Sequence, residues 1–148
     1  MSGENDLLRM KKEYALRKSL GKNKSIYSRF SPANLYMLQH REKDLLSLLG
    51  QKVGNNLSSK KILEVGCGNG GVLLEYLLYG AKPQQLFGLD YLFDRLPDAK
   101  EKIPSSRILQ ANGERIPFER NSFDLVLQYT AFSSILDPTI KRNIANDM

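Results

Sequence analysis

The sequence predicts an α/β fold, a parallel β-sheet with helices on its faces. Two observations carry this. From Lys61 onward, short apolar runs alternate with helical patterns: ILEV at 62–65, GVLLEYLLY at 71–79, QLFGLD at 85–90, RILQ at 107–110 and FDLVL at 123–127. A parallel neighbour needs a crossover connection, usually a helix, so this alternation implies parallel pairing. The second observation is GCGNGG at 66–71, which follows the first strand directly and opens a helix.

The 148 residues suffice for one domain with a real core. Hydrophobic residues at 41% and charged residues at 26% are ordinary for a globular protein. No apolar run approaches the roughly 20 residues of a membrane helix. The N-terminus is charged from Glu4 onward and lacks the apolar stretch of a secretory signal. Cys67 is the single cysteine, so no internal disulfide can form, which suits a cytoplasmic location. The net charge of +6 is unevenly placed. Residues 1–60 hold 12 Lys/Arg against 5 Asp/Glu, a net of +7; residues 61–148 hold 10 against 11, a net of −1. A basic arm can meet nucleic acid, anionic lipid or an acidic substrate. Its charges lie along helical patterns without interleaved aromatics, so it reads as a solvated helix face, with no nucleic acid and no membrane as partner.

Taken in order, residues 6–20 read as a loose amphipathic helix, with Leu7, Met10 and Tyr14 on one side and Gly21 as its stop. Residues 21–30 read as a loop or hinge. Ser31-Pro32 looks like an N-cap and first helical residue, and Leu35, Leu38, Leu45, Leu46 and Leu49 recur near helical spacing until Gly50. The arm is therefore expected to span residues 1–58 and the sheet domain residues 59–148. After the second strand a short helix is expected, with Asp94 as N-cap and Pro97 in its first turn. Arg107–Gln110 reads as the third strand and Phe123–Leu127 as the fourth, after a turn at Asn121-Ser122. Residues 138–148 read as the start of another helix, inside which the sequence stops.

The glycine loop carries the chemistry. Glycines allow a tight turn and let a ligand approach the backbone. Gly66, Gly68 and Gly71 even satisfy the G-x-G-x-x-G spacing of a dinucleotide site, so the loop alone is not specific. Two carboxylates sharpen it. Glu64 ends the first strand, two residues before Gly66. Asp90 ends the second, where a carboxylate can accept hydrogen bonds from both ribose hydroxyls.

ILEVGCGNGG, then FGLD, then ANGERIPFERNSFDLVL resemble the successive motifs of the class I S-adenosylmethionine-dependent methyltransferases, over roughly residues 60–140. The resemblance implies a Rossmann-like, doubly wound parallel sheet, here partial with about four strands and an N-terminal helical extension. It implies S-adenosyl-L-methionine as cofactor, a small-molecule acceptor such as a sugar or natural product, and no metal. Residue by residue, it puts Glu64 near the methionine amino group and Gly66, Cys67, Gly68 and Gly70 in the loop under the cofactor. Asp90 would hold the ribose, and Tyr91 or Leu92 would border the adenine. Asn112, Gly113 and Glu114 would lie at the adenine side; the family often has Asp-Ala where this chain has Asn112-Gly113. Gln128, past the fourth strand, would face the methionine portion or the acceptor. The segment 27–49 resembles, more loosely, a lid-like helix that precedes the loop in some bacterial members, with Tyr27 and Phe30 closing over the cofactor.

Other residues carry less. His40, the single histidine, lies between Gln39 and Arg41 on a helical pattern and reads as an exposed residue rather than a base. Cys67 occupies a place in the loop where a small residue is needed. The Asn/Asp-Pro-Pro-Tyr signature of enzymes that methylate exocyclic base amines is replaced by Gln128-Tyr129-Thr130-Ala131. No catalytic base is assigned. The competing readings are a nicotinamide-dependent oxidoreductase with the same loop and a truncated, non-catalytic cofactor-binding fragment. The family continues with three more strands beyond the fourth, so the fourth strand is expected to be an apolar edge open to self-association.

Overall fold

The computed structural model describes residues 3–20 and 28–148. The chain forms two compact units, residues 8–55 and residues 1–7 together with 56–148. Two long helices supply the first unit: α1 (Gly3–Leu20), whose first turns belong to the second unit, and α2 (Pro32–Lys52). Arg9 and Arg17 both pair with Glu13 one turn away along α1. Ser31 precedes α2 in an extended conformation, as expected of an N-cap, but its side chain makes no capping bond. Asn34 is buried and donates its amide to the Ser28 carbonyl at 3.1 Å. The helix runs through Gly50, where the sequence suggested a stop. It ends instead at Gly54, whose φ of 96° provides the left-handed turn, with the N–H groups of Val53 and Gly54 both donating to the Leu49 carbonyl.

In the other unit β1 (Ile62–Val65), β2 (Leu86–Asp90), β3 (Arg107–Gln110) and β4 (Leu125–Leu127) form a parallel sheet of order β3-β2-β1-β4. The chain builds β1 to β3 in one direction and then returns to lay β4 on the far side of β1. Every residue of β1 and β2 is buried, as a parallel sheet covered on both faces requires. Ile62, Leu63, Leu86 and Leu89 of the sheet, Leu73 and Tyr76 of α3 (Gly71–Leu78) and Ile103 are all essentially inaccessible. Gly88 is needed there: a Cβ would stand 2.8 Å from both the Cys67 sulfur and Ile108. Phe87, Phe118 and Phe123 pack edge to face, with centroids 5.0–5.7 Å apart.

Three expectations need correction. Asp94 is not a helix cap: residues Phe93–Arg95 form a 3₁₀ turn, and α4 (Leu96–Lys102) follows with Arg95 at its N-cap position and Pro97 in its first turn. Gln85 belongs to the 3₁₀ turn Pro83–Gln85 rather than to β2. The fourth strand starts at Leu125, because Asp124 is engaged otherwise. Its carboxylate accepts the Lys61 N–H at 2.8 Å and pairs with Lys60. The Lys61 N–H and then the Lys60 side chain hold this carboxyl below its ordinary range. Asp124 thus pins the entry of β4 to the entry of β1. After β4 come the short α5 (Ala131–Ser134), which the sequence reading left out, and α6 (Pro138–Asp147), capped by the Asp137 carboxylate on the Thr139 N–H at 2.8 Å. Asp6 of α1 is buried and accepts the N–H groups of Leu136 and Asp137 at 2.7 and 2.9 Å. Among the described residues no helix is long and apolar enough to cross a membrane.

Candidate active site

The carboxyl ends of β1 and β2 converge on the glycine loop. Gly66, Gly68 and Gly70 adopt φ values of 79°, 53° and 73°, a left-handed alternation that L side chains rarely take. The space is closed as well: a Cβ on Gly66 would meet Ala131 at 2.8 Å, and one on Gly70 would meet Ala99 at 3.0 Å. The N–H groups of Gly66 and Cys67 both donate to the Leu89 carbonyl, which folds the loop over the end of β2. From α4, Lys102 donates to the Asn69 carbonyl at 2.8 Å.

Asp90 ties the two strand ends together. One carboxylate oxygen accepts the Gly68 N–H at 2.7 Å, and the other accepts the Leu92 N–H at 2.8 Å. A carboxylate offers about four lone-pair sites. Each oxygen therefore keeps acceptor capacity after holding its backbone donor.

Glu64 pairs in register with Gly88 on one side and Leu127 on the other, so its side chain leaves the middle of the sheet. It is 2% exposed, and its Oε2 has no hydrogen-bond partner. Burial first, then the nearby Asp90 carboxylate, pushes its carboxyl up to about 8, against a hydrogen bond from the Leu73 backbone N–H that acts the other way. A buried acceptor with nothing to accept from is an uncommon arrangement. Cys67 is buried too, and burial followed by the Glu64 charge drives its thiol well above the usual range, the reverse of an activated nucleophile. Tyr76, buried beneath, shares a side-chain hydrogen bond with Tyr129 just beyond β4; burial raises its phenol first.

The remaining sequence candidates fall around this centre. Leu92 is buried; Tyr91 is half-buried, with its carbonyl accepting from the Gln110 amide. Asn112 and Glu114 form a local turn, with the Asn112 Oδ1 on the Glu114 N–H and Glu114 also bound to Asn143. Gly113 backs onto β1, where a Cβ would stand 3.1 Å from Val65. Gln128, with its amide oriented by the hydrogen bonds available to it, accepts the N–H groups of Thr130, Ala131 and Phe132. It is thus spent on starting α5, whose Ala131 in turn covers Gly66. His40, on α2 in the unit of residues 8–55, is exposed and packs against Tyr36 at 4.3 Å between ring centroids. Phe30 is almost wholly exposed, and Tyr27 lies outside the described residues. Among the described residues no group of three His, Cys, Asp or Glu could hold a metal.

Sequence reasoning passed over Arg95. Its guanidinium lies over the loop: a Cβ on Gly68 would stand 2.5 Å from Nη2, 2.7 Å from Cζ and 3.1 Å from Nη1. The same charge acts on Glu64 and Cys67. The available signal was its place five residues after Asp90, in the turn leading to the next helix.

Known proteins are similar to this chain. Phthiotriol/phenolphthiotriol dimycocerosates methyltransferase of Mycobacterium leprae is 36% identical over 78 residues, which cover 51% of this chain and 28% of that protein. A Mycobacterium ulcerans counterpart is 36% identical over 77 residues with the same coverage. The matched part is thus under a third of the length of these relatives. Among solved structures, S-adenosylmethionine-bound CalS10, an amino pentose methyltransferase of Micromonospora echinaspora, superposes with a TM-score of 0.56 at 19% identity, covering 77% of this chain and 50% of that one. Phosphoethanolamine N-methyltransferase 1 of Haemonchus contortus gives 0.65 at 16% identity, covering 99% and 29%. At such identities these structures establish the Rossmann-like fold. The family model described as "Methyltransferase domain" matches residues 63–143, from Leu63 in β1 into α6, and with the glycine loop, both carboxylates and all four strand ends inside that match, the chain belongs to the methyltransferase-domain family.

Proposed function

We propose that this chain binds S-adenosyl-L-methionine against the 66–70 loop and serves in methyl transfer to a small-molecule acceptor in the cytoplasm, with neither nucleic acid nor membrane as partner. The observation that carries the reading is the pair of carboxylates at the strand ends. Asp90 is held in place by two backbone donors with acceptor capacity to spare, and Glu64 is buried with an unpartnered oxygen. The cofactor has matching groups, two ribose hydroxyls and an ammonium.

The bound cofactor would supply a methyl group on a positively charged sulfur, which is already a good leaving group. What the chain's own residues contribute is therefore orientation and proximity. Asp90 accepts from the ribose hydroxyls, and Glu64 faces the ammonium. Gly66, packed against Ala131, turns the loop, Gly68 lets the ligand lie against bare backbone, and Leu92, beside Tyr91, gives an apolar border for the adenine, with 112–114 on its far side. Gln128 acts through α5, which it starts, on the Gly66 end of the loop. The mycobacterial relatives are named for phthiotriol and phenolphthiotriol dimycocerosates; the shared segment supports the cofactor half of that comparison, and the acceptor stays at the level of small molecule.

Calorimetry with S-adenosylhomocysteine tests the reading. The wild-type chain is expected to bind it, and NADH is not. Asp90→Ala should weaken binding by about 1–3 kcal/mol, the scale for hydrogen bonds to a charged group. Asp90→Asn keeps the shape and checks that the loss is not loop collapse. Unaltered affinity in both variants sinks the assignment.

A further inference from the structure

The place above Gly68 is filled by this chain itself. The three atoms within 3.1 Å of a notional Gly68 Cβ are Cζ and both terminal nitrogens of Arg95, so the flat end of this flexible side chain covers the glycine. Two features fix the backbone beneath it. Leu92 and Leu96, on either side of the Phe93–Arg95 turn, are 6% and 2% exposed, and Leu92 is hydrogen-bonded to Asp90. The Arg95 side chain is only half-buried, so it has a way out to water. Its charge acts on the buried Glu64 carboxyl, against the burial that raises it.

We propose that Arg95 is a bolt on the cofactor site: its guanidinium covers Gly68 until the cofactor arrives, and must swing to solvent before the adenosyl group can reach the loop. This rests on the cofactor reading above. The physical exchange is one cation for another. The guanidinium leaves the neighbourhood of Glu64, and the ligand brings an ammonium to replace it. A bolt of this kind acts on entry. It slows association and lowers affinity by the fraction of time it is shut, and it leaves dissociation untouched once the ligand is seated.

The test is stopped-flow and calorimetric binding of S-adenosylhomocysteine to wild type, Arg95→Met and Arg95→Gln in the 148-residue chain. Met keeps length without charge, and Gln keeps a polar end, so one remains informative if the other folds poorly. The expected result is an association rate and an affinity both raised at least about five-fold, with the dissociation rate within two-fold of wild type. Affinity that is unchanged or lower, or a gain that lies in the dissociation rate, overturns the bolt while leaving the cofactor reading intact. If neither wild type nor either variant binds S-adenosylhomocysteine, the cofactor reading fails and the bolt with it.

Discussion

At the scale of single residues, Glu64 makes the clearest prediction. Its carboxyl sits at about 8 in the folded chain against an ordinary 4.5, chiefly through burial. The folded state therefore holds this proton more tightly than the unfolded chain does. The contribution to stability is complete below the ordinary value and is lost as pH rises through about 8. Glu64→Gln cannot ionise and should escape that loss. Thermal melts are expected to show the variant above wild type at pH 8.5, with the gap closing towards pH 5. Parallel curves across this range would show that the carboxylate is not buried in solution. The glycine loop, Glu64 and Asp90 were legible in the sequence because spacing after an apolar strand places them. Arg95 was not, because a long side chain's direction depends on packing that no local pattern encodes. Gln128 was read as facing a ligand, whereas its nearest donors are the three N–H groups opening α5.

At the scale of elements, strands and long helices followed from periodicity, while their ends followed from hydrogen bonds formed across the fold. Asp124 illustrates this. As a local residue in FDLVL it continues a strand; in the structure its carboxylate turns to Lys61, 63 residues away, and β4 begins after it. The short α5 was invisible for a related reason, since four residues carry too little periodicity to register. Asp6 provides a second long-range anchor, for the start of α6. Asp6→Ala leaves the N–H groups of Leu136 and Asp137 without their acceptor. The expected cost is about 1–3 kcal/mol, a fall in melting temperature on the order of 5 °C. An unshifted melt would mean that water satisfies those groups equally well.

At the scale of the whole molecule, the sheet has two edges among the described residues. β1 and β2 are paired on both sides, while β3 pairs only with β2 and β4 only with β1. Leu125 and Val126 on it are half-buried, and a cavity of about 270 Å³ lies beside Val126, lined by apolar residues such as Leu63 and Phe118 and by polar ones such as Arg120, Asn146 and Asp147. An apolar edge of this kind pairs readily with another chain. Sedimentation velocity of the 148-residue chain is expected to show a weight-average mass that grows with concentration. A single 16.8 kDa species throughout would count against an open edge. The anchor at Asp6 also has a consequence in time. Its two donors lie 130 and 131 residues downstream. On the ribosome the chain emerges at about 5–20 residues per second. For several seconds, then, the first helix is outside before the two N–H groups that its carboxylate must hold have been made. The sheet can assemble strand by strand as it appears, but the contact between the N-terminal turn and residues 136 and 137 has to wait until the start of α6 is made.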